Sequence, residues 1–267
     1  GPNARAILNE IVKDANPETV LSNKRFPWLS YRDIELGMCP VRAIRVAYTG
    51  ELGWELHYPI EFGRYLWDLL MKAGEKHGLR MVGSIAYFTT VIESGWWAVP
   101  VSAVYTGQGT QGYRDWCSAK NAAMRMSLGG SFYSDDIADY YLTPYDVNYG
   151  HIIKFDHDFI GRAALEAMAE GPHRKKVTLV WNADDVLSVM QSQFEGGEAK
   201  DKPLPITLPL AAAGRMHYDR VTDPAGNTIG LATYPGYTAN ERAMMSLASV
   251  DAEFAEPGSE VVLIWGE

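Results

Sequence analysis

Apolar side chains at Phe62, Tyr65, Leu66, Leu69, Leu70 and Ala73 recur at the spacing that lines one face of an α-helix. The pattern predicts an amphipathic helix closed by Gly78, a residue suited to the left-handed position just past a helix end. Ala4 to Val12 has the same helical spacing, with Pro2 placed for a first turn. Leu36 to Tyr58 is strand-like and stops at Pro59. Within it, Val41 to Ala47 reads as one strand and Trp54 to Tyr58 as a second, joined by a glycine-punctuated turn. Val82 to Trp97 is apolar, carries few charges and is expected to be buried. Asp158 is placed to cap a helix from Phe159 to about Ala169, stopped by Gly171-Pro172.

Beyond Pro172 the pattern changes. Lys176 to Trp181 reads as a strand, and Gly196 to Pro209 as a polar, then proline-punctuated connection. Tyr218 to Val221 and Thr228 to Thr233 flank Asp223-Pro224-Ala225-Gly226-Asn227, a turn signal between two strands. Met244 to Val250 and Glu260 to Trp265 add two more, separated by Glu256-Pro257-Gly258. The expectation is an α+β region over residues 1–171 and an all-β module over residues 172–267.

Composition narrows the classes. At 267 residues with 47% hydrophobic content the chain fills one large or two modest cores. Acidic residues outnumber basic ones 33 to 24, which argues against a nucleic-acid partner needing a basic face. Cys39 and Cys117 are far apart and in no metal-like spacing, so a disulfide framework is not expected and a reducing cytoplasm is the default compartment. No apolar run approaches the ~20 residues that span a bilayer, so no membrane partner is expected. The 15 Tyr and 8 Trp suit either a well-filled interior or a site that holds planar ligands.

Candidate chemistry is sparse. Gly107-Gln108-Gly109-Thr110-Gln111-Gly112 spells G-x-G-x-x-G after a strand-like Val101 to Tyr105. No alternating βαβ series surrounds it, so coincidence in a glycine-bearing loop is the preferred reading. The histidines, His57, His151 and His157 among them, form no metal-ligand spacing, and no metal is expected. No nucleophile elbow of the G-x-S-x-G type occurs. Tyr48-Thr49-Gly50-Glu51-Leu52-Gly53-Trp54-Glu55 is the richest stretch: two glycines permit positive φ, and the hairpin brings an aromatic face near a carboxylate. Such a pair suits a flat heterocycle whose edge carries N–H donors, because an ionised carboxylate only accepts. From the pattern alone, a surface hairpin with an incidental glutamate is the simpler reading. Tyr87, Glu93, Trp96 and Trp97 fall in the apolar stretch, where the tryptophans either pack an interface or face a ligand.

That stretch resembles the Y-T-G-E-x-G-[FYW]-E motif of the aminomethyltransferase (glycine-cleavage T-protein) family, which binds tetrahydrofolate. Tyr141-Leu142-Thr143-Pro144-Tyr145-Asp146 and Lys154-Phe155-Asp156-His157-Asp158-Phe159-Ile160-Gly161 resemble the family's T-P-x-E and D-K-x-x-F-I-G stretches. Ile92-Glu93-Ser94-Gly95-Trp96, Tyr105-Thr106-Gly107 and Gly236-Tyr237-Thr238-Ala239-Asn240-Glu241-Arg242 are similar to the tetrahydrofolate-dependent aryl O-demethylases of that family, which act on vanillate- and syringate-type acids. Ala86-Tyr87-Phe88 and Val91-Ile92-Glu93 stand where the family's aminomethyltransferases carry A-R-D and R-L-E, which moves the expectation toward the demethylase branch.

The resemblance implies a T-protein-like folate-binding core and a C-terminal barrel closing over a central cavity. It implies that Glu55 anchors the pterin edge, that Tyr48 lines the same pocket, that Trp96 covers a ring face and that Tyr87 contacts the substrate or the leaving oxygen. The implied activity is methyl transfer from a methoxylated aromatic acid to tetrahydrofolate. Aminomethyl transfer with a lipoyl-carrier partner and folate binding without turnover are the alternatives. Gly1-Pro2-Asn3-Ala4 resembles the family's internal G-P-x-A, so an N-terminal segment of the family fold is expected to be absent from this sequence. On that expectation the remaining catalytic residues precede Gly1, no catalytic acid is named, and any further partner is that segment or a second copy of the chain.

Overall fold

The computed structural model describes residues 1–98, 100–125, 127–195, 204–211 and 216–266. The chain divides into two compact units, Gly1–Ser94 and Gly95–Glu267. Helices and antiparallel sheets occur in both, an α+β chain. Among the described residues no helix is long and apolar enough to cross a membrane.

In the first unit, helices α1 (Ala4–Ile11) and α2 (Pro17–Val20) precede strands β1 (Tyr31–Leu36), β2 (Cys39–Ile44) and β3 (Glu55–His57). The strands form an antiparallel sheet in that order, with Ile44 opposite Glu55. Strand β2 alternates buried and exposed positions, so Cys39, Val41 and Ala43 enter a core with Leu8, Leu21, Phe26, Leu36 and Leu66. Helix α3 (Gly63–Gly74) supplies Leu66 on the apolar stripe read from the sequence. The helical run ends at Gly78, whose φ of +70° is the left-handed stop expected there.

Helix α4 (Ser84–Ser94) corrects one expectation. The apolar stretch around it is mostly exposed: Met81, Val82, Ile85 and Phe88 lie open, and only Val91 and Ile92 at the helix's last turns are buried within this unit. Its apolar residues ring the helix instead of forming a stripe, and one face alone finds a core. The two strands around the glycine turn are also shorter than expected. β2 stops at Ile44 because Arg45 turns its backbone to Leu29 and Ser30.

In the second unit, α5 (Gln111–Trp116) and β4 (Leu128–Gly129) come first, followed by α6 (Arg162–Met168), β5 (Lys175–Val180), α7 (Ala183–Ser192) and β6 (Met216–His217). The chain then continues through β7 (Asp219–Thr222), β8 (Thr228–Thr238), β9 (Ala243–Val250) and β10 (Val262–Leu263). A five-stranded antiparallel sheet runs in the order β10-β7-β8-β9-β5, and β4 pairs with β6. Its core holds Val221, Ile229, Ala232, Ala248 and Val250. The Asp223–Asn227 turn is present, with the Asp223 carboxylate accepting from both the backbone and the side chain of Asn227.

Four readings change here. Val101 to Tyr105 forms no strand. α6 begins at Arg162, after Gly161 at φ +93°, and Asp158 pairs with Arg162 at 3.3 Å instead of capping a helix. The segment after Pro172 is not all-β, because α7 lies within it. Asn182 caps that helix, its side chain accepting from the N–H groups of Asp184 and Asp185, and those two acids complement the helix's positive end. The expected strand from Glu260 to Trp265 is reduced to Val262–Leu263. The connection expected at Gly196 to Pro209 lies outside the described residues up to position 203. Compactness divides the chain after Ser94, while Pro172 directly precedes β5, the first strand of the five-stranded sheet.

Candidate functional site

The glycine turn of the first unit is anchored by Trp54. Its ring lies under the Arg45 guanidinium at 4.6 Å and the Arg5 guanidinium at 5.8 Å, and Phe26 meets its edge. Both arginines bond the Asn23 side-chain oxygen. Trp54 thereby fixes the start of β3 and, one residue on, Glu55. Gly50 takes φ +71° at the turn. A Cβ there would press on Ser94 at 3.1 Å, so glycine is required twice over. Gly53 does not take positive φ; close approach to Ala47 explains it instead.

Tyr48 at the head of this turn stacks on Tyr87 of α4, ring centroids 4.3 Å apart and planes within 17°. Glu55 is exposed and its carboxylate lies 3.4 Å from His57. Burial, and after it the negative charge of Glu55, pushes the Tyr87 phenol above its ordinary value. Tyr48, Glu55 and Tyr87 are therefore one electrostatic group: an aromatic pair, an acceptor-only carboxylate, and a hydroxyl that stays protonated well past neutrality.

Trp96 falls in the second unit, where it lines a cavity of about 580 Å³. Trp97, Pro144, Tyr149, Lys154 and Phe159 line it too, as does Thr143. Three stretches singled out in the sequence thus meet at one cavity. The Thr143-Pro144-Tyr145-Asp146 turn is closed by the Asp146 carboxylate, which accepts from the Thr143 N–H and hydroxyl at 2.8 and 2.6 Å. Tyr145 stacks on His173 at 4.4 Å. Asn148, at φ +61°, brackets the Lys176 peptide with two side-chain hydrogen bonds. That clamp sets the Lys176 amine 4.4 Å over the Tyr149 ring and 3.5 Å from its oxygen.

Sequence reading did not single out Tyr149 or Lys176, and Lys154 was quoted without a role. Asn148-Tyr149-Gly150, a turn tripeptide directly after Asp146-Val147, was the available signal. The G-x-G-x-x-G loop holds no phosphate cradle. Arg114 donates there to the carbonyls of Val104, Thr106 and Gly107, so the loop presents acceptors inward, the opposite of the N–H groups a phosphate needs. Among the described residues, no three metal-binding side chains cluster.

Residues 1–101 match the family model of the GCVT N-terminal domain. The whole chain is 39% identical over 269 residues to a syringate O-demethylase from Sphingobium sp., of which it covers 55%. The start of the chain thus carries the match to the GCVT N-terminal domain. The chain is also 29% identical over 245 residues, 85% of its length, to a sesamin methylene transferase from Sinomonas sp., covering 52% of it. It is 26% identical over 261 residues, 97% of its length, to an aminomethyltransferase from Saccharopolyspora erythraea, covering 52% of that protein. The chain spans about half the length of the curated relatives it matches. Tyr48, Glu55, Tyr87 and Trp96 all fall inside the matched residues, and Tyr149, Lys154 and Lys176 lie beyond them.

Proposed function

We propose that the chain serves a one-carbon transferase that moves a methyl group from a methoxylated aromatic acid to tetrahydrofolate. The observation that carries the reading is the Tyr48–Tyr87 stack with the Glu55 charge acting on the Tyr87 hydroxyl. The name of the syringate O-demethylase relative supports the substrate class. The residues fit the cofactor. A pterin has a flat face and an edge of N–H donors, and here an exposed acceptor-only carboxylate accompanies a flat aromatic pair. Glu55 and Tyr48 would hold it. Bound tetrahydrofolate supplies the ring nitrogen that takes the methyl group.

Within this chain Tyr87 is read as the residue that contacts the leaving oxygen. As the methyl carbon leaves the ether oxygen, negative charge builds on the phenolate. A positioned hydroxyl donor stabilises that charge most where water is excluded. The raised Tyr87 phenol remains a donor throughout the physiological range. Holding acceptor nitrogen and methyl carbon in near-attack geometry contributes about 7–11 kcal/mol in well-oriented systems. Residues 172–267 are read as the C-terminal module, its five-stranded sheet forming the wall of a barrel.

Product identity tests the reading. Methyl-tetrahydrofolate formed from syringate or vanillate supports it. Formaldehyde equivalents with ammonia from glycine and a lipoyl carrier replace it with glycine cleavage, and folate binding without any product reduces the chain to a binding protein.

A further inference from the structure

We propose that His57 is a positioning residue for Glu55, holding its carboxylate in the plane that two parallel N–H donors of tetrahydrofolate need. The proposal rests on the reading of Glu55 as the group that meets the pterin edge, and adds the residue that orients it.

The first observation is placement. Strand β3 alternates exposed and half-buried positions, so Glu55 and His57 stand on the open face of the sheet while Leu56 turns to the core. The Glu55 Oε2 oxygen meets the His57 Nε2 nitrogen at 3.4 Å. Among the described residues no other basic side chain comes within ion-pair distance of Glu55.

The second observation is what stands behind the imidazole. The sheet register sets Arg42 opposite His57, and Asp33 opposite Arg42. Asp33 holds the Arg42 guanidinium by two hydrogen bonds, at 2.8 and 3.0 Å, and the guanidinium lies 5.0 Å over the Tyr31 ring. Arg42 is thereby committed and does not compete for Glu55. A guanidinium only donates, so it offers the imidazole no acceptor. A carboxylate only accepts, so the ring nitrogen that faces Glu55 is the one that carries hydrogen. The row Asp33, Arg42, His57 crosses all three strands and ends beside Glu55.

The third observation is what the contact leaves for a ligand. His57 takes one lone pair of Oε2, and a carboxylate has about four acceptor positions. An exposed glutamate otherwise samples several rotamers, and its terminal torsion is broad. Ordering such a side chain opposes binding, and a neighbour that orients it beforehand removes part of that opposition. Trp54 fixes the Glu55 backbone, and His57 fixes its carboxylate.

Calorimetric titration of the full chain with tetrahydrofolate, through a double-mutant cycle of Glu55→Gln and His57→Ala, tests this. His57→Ala should weaken binding about three- to tenfold when Glu55 is present and change it little in the Glu55→Gln background. His57→Gln, whose amide can donate to the carboxylate, should recover most of the loss. His57 is exposed, so the unfolding midpoint of His57→Ala should match wild type. A lowered midpoint overturns the proposal in favour of a structural role. Unaltered affinity in His57→Ala, with Glu55→Gln weakened, overturns it and leaves the folate reading intact. An equal loss in both backgrounds also overturns it, because His57 would then act without Glu55. Unaltered affinity in Glu55→Gln removes the folate reading and this proposal together.

Discussion

The two candidate regions are chemical opposites. In the first unit an exposed carboxylate, Glu55, stands with the stacked Tyr48 and Tyr87, a group that accepts hydrogen bonds at one end and donates at the other. In the second unit a half-buried ammonium, Lys176, stands behind a donor hydroxyl in an aromatic cavity. The first offers an acceptor to its surroundings and the second offers donors. The scaffolds differ in the same sense. Glu55 is set by one strand start, pinned through Trp54 beneath two arginines, whereas Tyr149 and Lys176 are set by a side-chain clamp between segments. Both are fixed by contacts distant in sequence, Arg5 and Phe26 reaching Trp54 in the first and Asn148 reaching Lys176 in the second.

The sharpest way to break the comparison is to remove the donor of the first group. Tyr87→Phe keeps the stacked wall and deletes only the hydroxyl. Steady-state methyl transfer should then fall by roughly 10²–10³ in kcat with folate affinity near wild type. An unchanged kcat would leave Tyr87 as a packing residue for Tyr48.

A smaller effect belongs to the clamp. Asn148→Ala removes two hydrogen bonds to the Lys176 peptide and places a less tolerant residue at φ +61°. Urea unfolding should show a loss of about 1–2 kcal/mol, and Asn148→Gly should recover the backbone part of it. If Ala and wild type unfold at the same midpoint, the clamp does not hold Lys176 in place.

The contrast between segments also explains what was legible in the sequence. The α3 stripe, the Gly78 stop, the Asp223–Asn227 turn and the two strands flanking it follow from local periodicity and turn chemistry, and the structure has them. Tyr48 and Glu55 were singled out because the glycine turn is contiguous and its motif resembles a known one, and Tyr87 because Ala86-Tyr87-Phe88 stands where the family's aminomethyltransferases carry A-R-D. Tyr149 and Lys176 were not, since Trp97 and Tyr149 are 52 positions apart and no local pattern announces a backbone N–H meeting a phenol oxygen. Burial of Val82 to Trp97 was misread because apolar content reports what a segment can bury, not which face finds a core. Helix α7 was missed because the Asn182 cap lies in a short segment placed between strands.

The smallest expected effect is one of pH. Burial raises the phenols of Tyr149 and Tyr218 above the ordinary value of 10.0 in the second unit. A folded state that keeps protons the unfolded state has lost is destabilised as pH rises, so the contribution of these two phenols should be flat below pH 10 and fall above it, against the opposite slope of Lys176, whose amine burial lowers. Tyr149→Phe should flatten part of that decline in thermal unfolding measured across the alkaline range. An unfolding temperature that rises above pH 10 would contradict the sign.

The central claim is that the first unit recognises reduced folate through a carboxylate, and calorimetry of tetrahydrofolate against wild type and Glu55→Gln tests it most directly. The substitution keeps the size of the side chain and turns one acceptor oxygen into a donor facing donors. Affinity should drop by about 2–3 kcal/mol, with most of the change in enthalpy. Equal affinity in the two proteins would contradict the claim, because an acceptor that costs nothing to invert holds no edge of N–H groups.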